Sequence, residues 1–243
     1  IKLANIKNSN IVEIGPGTGN LTQKIIDEGP ASLILIEKDE NLVKNLELAN
    51  KKYKNVDIYN KDIMRFDIES VLKKNSIIIG NLPYNISSQI LVNLIKFKNW
   101  YPKYNKLILM FQKEVADKIL AKYNTKSFGR LTVISNFRLK VLDHFNVSKN
   151  CFYPKPKVES TVLVFQPLEN NNFKIKNIKN LEKVTHTFFS NKRKMINKGF
   201  AKLFKNPIDV SKILNINLSK RPAELAESDY YKITEYFEKK NSF

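Results

Sequence analysis

Four short apolar runs constrain the fold of this chain most tightly. They are Ile11-Val12-Glu13-Ile14, Leu33-Ile34-Leu35-Ile36, Val56-Asp57-Ile58-Tyr59 and Ile77-Ile78-Ile79-Gly80. Each reads as a short strand, and the stretches between them carry helical apolar spacing. The alternation runs from Asn10 to about Gln166, with Val162-Leu163-Val164-Phe165 as the expected last strand. Strands alternating with amphipathic helices build a doubly wound, mostly parallel sheet, an α/β fold. Ligands bind such sheets at the carboxyl ends of the strands, so the residues that close each run are the places to look for chemistry.

The first run enters Gly15-Pro16-Gly17-Thr18-Gly19, a glycine-rich turn before a helix start. Glycine permits positive φ and a close approach of ligand to backbone. The spacing is neither that of a dinucleotide fold nor that of a phosphate-binding P-loop. Glu13, just before the glycines, suits a positively charged ligand better than a pyrophosphate. The second run ends in Glu37, which can accept from two ribose hydroxyls or, alternatively, cap the helix that follows. After the third run come Asp62 and Ile63, placed to accept from an adenine amine and to donate a backbone amide to its ring. Asp62 also reads as a plain turn residue. The fourth run delivers Asn81-Leu82-Pro83-Tyr84. The Asn81 side chain and the Leu82 carbonyl offer two acceptors for the two hydrogens of an exocyclic amine. Pro83 stiffens the loop, and Tyr84 offers a face for a flipped base. Asn and Pro also dominate ordinary turns.

The tetrapeptide resembles the catalytic loop of enzymes that methylate exocyclic amines of bases, and the whole series looks like a class I S-adenosylmethionine methyltransferase. Further along, Leu109-Met110-Phe111-Gln112-Lys113-Glu114-Val115-Ala116, Phe128-Gly129-Arg130-Leu131-Thr132-Val133 and Cys151-Phe152-Tyr153-Pro154-Lys155-Pro156-Lys157-Val158-Glu159-Ser160 are similar to segments of the KsgA-type ribosomal RNA small-subunit adenine N6,N6-dimethyltransferases. So is Phe188-Phe189-Ser190-Asn191-Lys192-Arg193-Lys194-Met195-Ile196, which resembles that family's basic helix.

The resemblance implies a Rossmann-like seven-stranded sheet, its last strand antiparallel, followed by a small helical domain. It implies dimethylation of two adjacent adenines in the 3′-terminal hairpin of small-subunit ribosomal RNA, with S-adenosylmethionine as donor, S-adenosylhomocysteine as by-product and no metal. By the same resemblance Glu13, Gly15, Gly17, Gly19, Glu37, Asp62, Ile63 and Asn81 hold the cofactor. Asn81, Leu82, Pro83, Tyr84 and Phe152 form the target-base site, and Lys155, Lys157, Lys192, Arg193 and Lys194 grip RNA. Family members begin with a basic leader carrying Gln-Asn/His-Phe-Leu. Only Ile1 to Ser9 precede the first strand here, so a trimmed chain is expected.

Residues 167–172 are polar and turn-rich and read as a linker. The expected domains are 1–168, the methyltransferase unit, and 169–243, a helical basic RNA-binding unit. Ser219-Lys220-Arg221-Pro222-Ala223-Glu224-Leu225 reads as a helix start. The net charge of +19 favours a polyanionic partner. Lysine abundance alone would spread that charge evenly. Residues 169–243 hold 16 Lys/Arg against 8 Asp/Glu, a denser excess than the rest of the chain. A single cysteine excludes an internal disulfide and fits a reducing compartment, with the cytoplasm as the expected location and an organelle as the alternative. Cys151 reads as a packing residue, and neither His144 nor His186 has partners at metal-ligand spacing. The expected partner is small-subunit RNA or its precursor particle, met by a monomer away from membranes. Two alternatives share the fold, a large-subunit RNA methyltransferase of the antibiotic-resistance type and a non-catalytic RNA-binding factor.

Overall fold

The apolar runs form the strands expected of them, each extended by one or two residues at one or both ends. A computed structural model describes residues 3–169 and 172–240. Its seven strands are β1 (Asn10–Ile14), β2 (Ser32–Glu37), β3 (Val56–Asn60), β4 (Ser76–Asn81), β5 (Tyr104–Gln112), β6 (Leu139–Val147) and β7 (Ser160–Pro167). They make one sheet in the order β3-β2-β1-β4-β5-β7-β6. The pairs β3–β2, β2–β1, β1–β4 and β4–β5 are parallel, while β7 runs antiparallel to β5. Leu33, Leu35, Ile77, Ile79, Ile108 and Val164 bury one face of the sheet together with Ile25 and Leu46 from helices. Strands that bury both faces lose their alternation, which is why these runs are nearly continuous in apolar residues.

The helices of this unit are α1 (Asn20–Asp27), α2 (Glu40–Asn50), α3 (Ile68–Val71) and α4 (Ser87–Ile95). Helix α2 is capped by Asp39, whose Oδ1 accepts from the Asn41 and Leu42 amides at 2.8 and 3.1 Å. That assignment releases Glu37 from the capping role.

The chain divides into two compact units, residues 1–116 with 140–167, and residues 117–139 with 168–243. The division differs from a single cut at residue 168. Helix α6 (Arg130–Arg138) packs with the C-terminal helices α7 (Ile178–Phe189) and α10 (Glu227–Lys240). Tyr231 Oη donates to the Val133 carbonyl at 3.0 Å, and Phe137 and Tyr231 bring their rings to 5.0 Å. Helix α5 (Lys113–Ile119) carries the chain from one unit to the other. The remaining helices, α8 (Asn197–Leu203) and α9 (Pro207–Ile213), are short, with Pro207 at the first turn of α9.

Three local expectations are corrected. Residues 190–196 are turns after α7, so Lys192, Arg193 and Lys194 do not sit on a helix. Pro222–Glu224 is one 3₁₀ turn, closed by the Arg221 amide donating to Glu224 at 2.7 Å, and the helix begins only at Glu227. Cys151 is exposed and packs no core. The expected linker 167–172 includes residues 170 and 171, which lie outside the described residues.

Candidate active site

The parallel register brings the strand tails to one level. Ile14 of β1 lies beside Ile36 of β2 and Gly80 of β4, and Glu37 lies beside Asn60 of β3. Gly15, Glu37 and Asn81 therefore emerge side by side at the carboxyl edge. The Gly15 amide donates to the Ile36 carbonyl at 2.9 Å, which ties the glycine turn to β2. The Asn81 carbonyl oxygen lies 3.9 Å from where a Gly15 Cβ would stand, so the glycine turn and the Asn81 loop adjoin.

Gly15, Gly17 and Gly19 all have positive φ, at 67°, 59° and 85°. The space over Gly17 is open, and its amide donates to Glu37 Oε2 at 3.1 Å. Glu37 Oε1 accepts from the Lys38 and Asp39 amides at 2.8 and 3.0 Å. Three amides thus hold this carboxylate rigidly, while each oxygen keeps lone pairs for a ligand hydroxyl. Asp62 accepts from the Met64 amide at 3.0 Å and pairs with Lys38 at 2.9 Å. The Lys38 contact, then the Met64 amide, holds its carboxyl below the ordinary carboxylate value. Two carboxylates held by backbone amides beside an open backbone turn are a donor and acceptor set that fits an adenosyl cofactor.

Glu13 lies elsewhere than a ligand-facing surface. It is 1% exposed beneath the glycine turn, and Thr22 Oγ1 donates to its Oε2 at 2.7 Å. Burial pushes its carboxyl up to about 7; the Thr22 bond opposes this and the Glu37 charge adds to it.

In the Asn-Leu-Pro-Tyr loop the Asn81 side chain is exposed and Leu82 is buried. A Cβ on Gly80 would stand 2.6 Å from Leu82 Cδ2 and 3.3 Å from the Ile14 carbonyl oxygen. Glycine at position 80 gives Leu82 room to tuck back against the sheet, and that tuck is expected to set the direction of the Leu82 carbonyl. In the sequence Gly80 is only the last residue of the fourth run, and nothing in its spacing marks it. Gly80→Ala is expected to lower methyl transfer at least ~10-fold, since overpacking of this kind costs about 1–3 kcal/mol and here displaces the loop. Thermal melting beside a single-turnover assay separates the two effects, and unchanged transfer would show that the tuck does not set the carbonyl.

Tyr84 is half-buried, and its Oη lies 2.6 Å from Ser160 Oγ. Phe152 is half-buried, Tyr153 fully exposed, and Lys155 and Lys157 exposed, all on the segment leading into β7. The other predicted RNA contacts belong to the second unit. There Arg193 and Lys194 are exposed, but Lys192 Nζ donates to the Lys126 and Phe128 carbonyls, each at 2.6 Å. Partial burial, then Lys118, lowers the Lys192 pKa from its usual value. Among the described residues no cluster of three or more metal-ligating side chains occurs, and no helix is long and apolar enough to cross a membrane.

The sheet order and the set of strand-end groups define a class I S-adenosylmethionine-dependent methyltransferase. A family model described as ribosomal RNA adenine dimethylase matches residues 1–239. The chain is 38% identical over 238 residues to "Ribosomal RNA small subunit methyltransferase A" of Pelagibacter ubique, covering 98% of this chain and 90% of that protein. The solved structure of a dimethyladenosine transferase from Plasmodium falciparum superposes with a TM-score of 0.80 at 29% identity, covering 99% of this chain and 94% of the other. The 23S rRNA methyltransferase ErmE shares the fold, with a TM-score of 0.67 at 18% identity over 98% of this chain and 94% of the other. This chain belongs to the ribosomal RNA adenine dimethylase family.

Proposed function

We propose that the chain uses S-adenosylmethionine to dimethylate the N6 amines of two adjacent adenines in the 3′-terminal hairpin of small-subunit ribosomal RNA, as a step in making that subunit. The observation that carries the reading is an intact Asn-Leu-Pro-Tyr loop beside an intact glycine turn, in a chain matched by its family over residues 1–239.

Bound cofactor supplies an electrophilic methyl; the chain supplies orientation and fixed dipoles. Glu37 accepts from the ribose hydroxyls, Asp62 and the Ile63 amide read the adenine, and Gly15, Gly17 and Gly19 keep the backbone clear. The target amine is a weak nucleophile because its lone pair is delocalised into the ring. Two acceptors, the Asn81 side-chain oxygen and the Leu82 carbonyl, hold its hydrogens and favour a pyramidal nitrogen. Tyr84 and Phe152 stack the flipped base, with Pro83 stiffening the loop. After attack the nitrogen is acidic and gives its proton to water. The monomethylated base then re-enters for the second transfer.

Outside this pocket, Lys155, Lys157, Arg193 and Lys194 hold phosphates. Lys194 also lines a cavity of about 130 Å³ with Lys198 and Lys202, floored by Phe188 and Gly199. Removing one phosphate-neutralising side chain should shallow the slope of log affinity against log salt by about 0.7–0.9. Arg193→Ala and Lys194→Ala are expected to do so. Lys192→Ala, whose ammonium is engaged on carbonyls, is expected to leave the slope nearly unchanged and loosen residues 126–128 instead. Filter binding across a salt series reads this, and a Lys192 slope change equal to that of Arg193 would reverse the assignment. A cytoplasmic monomer acting on small-subunit RNA or its precursor particle completes the proposal.

The test of the function itself is incubation with methyl-labelled cofactor and unmethylated small or large subunits, followed by nucleoside mass spectrometry. Dimethyladenosine confined to small-subunit RNA supports the proposal. Label in large-subunit RNA moves the chain to the resistance-type activity. No label with cofactor still bound points to a binding role.

A further inference from the structure

We infer that Ser160 is a positioning residue for methyl transfer, orienting Tyr84 and linking it to the segment that carries Phe152. The inference rests on the proposed base-methylating function and adds a residue that the motif reading used only as the end of a similar segment. Ser160 is fully buried at the first position of β7. Its backbone is held in register opposite Gln112 of β5, and the neighbouring Glu159 carbonyl accepts from the Lys113 amide at 2.9 Å. The Glu159 carboxylate accepts from the Lys149 amide at 2.9 Å, closing the base of the segment that holds Phe152. The next residue, Thr161, donates to Asn146 at 2.8 Å. Ser160 Oγ is thus a fixed point, and it meets the tip of Tyr84 at 2.6 Å across 76 residues of sequence.

A tyrosine ring fixed only at its Cβ turns about two side-chain torsions. A hydrogen bond at the far end, to a group that cannot move, removes that freedom and sets the plane of the ring. A stacking wall whose plane is set before the base arrives loses less entropy on capture. The same serine ends the segment that starts at Phe152, so displacement of that segment is felt at Tyr84 through one bond. The role assigned to Ser160 requires no contact with base or cofactor. It acts through Tyr84.

Tyr84→Phe keeps the stacking ring and removes only the bond. Ser160→Ala removes it from the other end. Each is expected to lower the single-turnover rate about 5–10-fold, the scale of losing one net hydrogen bond of about 1 kcal/mol. Cofactor affinity by calorimetry should stay within twofold. The double variant should be no slower than the slower single one, because both remove the same interaction. Ser160→Cys, with a weak donor in the same place, should restore part of the rate. If Ser160→Ala does not fold, Tyr84→Phe still decides the question, since its change lies at the half-buried end. Wild-type rates in Tyr84→Phe, or losses that multiply in the double variant, would overturn the inference. Absence of transfer by the unmutated protein would instead overturn the function on which it rests.

Discussion

Replacing Asn81 by alanine is expected to lower the rate of adenine methylation at least ~100-fold, the scale of losing one preorganised polar group in a transition state. Asn81 is the last residue of β4, its side chain exposed and absent from the core. The strand should therefore form as before, and the loss should fall on chemistry. The Leu82 carbonyl alone can hold one amine hydrogen, but two acceptors are needed to turn the lone pair from the ring toward the methyl. The loss should appear in the single-turnover rate, with RNA affinity changed little, because the side chains proposed to hold phosphates lie elsewhere. Near-wild-type dimethylation by Asn81→Ala would remove the residue from the mechanism.

The second large effect concerns Glu13, and it is expected to run against intuition for a buried acid. Its carboxyl titrates at about 7 in the folded chain, above the 4.5 of an unperturbed glutamate. A raised acid pKa means that the folded state holds a proton which the unfolded state has released. Stability is then unaffected by Glu13 below about 4.5, falls as pH rises toward 7, and stays lower above it. The integrated cost at pH 8 is about 3 kcal/mol at 1.36 kcal/mol per pKa unit. Glu13→Gln keeps an acceptor for Thr22 and cannot ionise. At pH 8 the variant should melt about 5–10 °C above the parent, and at pH 4 the two should nearly coincide. The change should also remove a pH dependence of cofactor binding. A cationic ligand over the glycine turn favours ionised Glu13, so parental affinity should climb through pH 7 while that of Glu13→Gln stays flat. A Tm gap of the same size at both pH values would show that packing, and not ionisation, separates the two proteins.

The placement of the groups proposed to bind cofactor was readable because its information is local. Each group follows a short buried strand within a few residues, and a parallel sheet of any length places such groups on one edge. The glycine turn, Glu37, Asp62 and Asn81 needed only the order of the runs, and the antiparallel last strand came with the family resemblance. Strand β6 was not marked by any pattern. It is an edge strand whose Leu142 and Phe145 are exposed, so neither a continuous apolar run nor clean alternation announces it. The capping of α2 by Asp39 and not Glu37 depended on which carboxylate the backbone turned toward the amides. The basic segment after Phe189 resembles the family's basic helix, but α7 ends at Phe189 and turns follow.

Consecutive residues alone established the fold class and the edge at which the strand-end groups gather, because strand order and side-chain chemistry are written along the chain. The folded arrangement supplied the rest. It buried Glu13 and so raised its pKa, tucked Leu82 into the space above Gly80, turned the Lys192 ammonium onto two carbonyls, joined residues 117–139 to the C-terminal helices, and brought Ser160 to Tyr84. One cause is common to all five. Burial, side-chain packing and the partner a polar group finds are properties of the space the folded chain encloses, whether the residues lie two positions apart, as Gly80 and Leu82 do, or 76, as Tyr84 and Ser160 do.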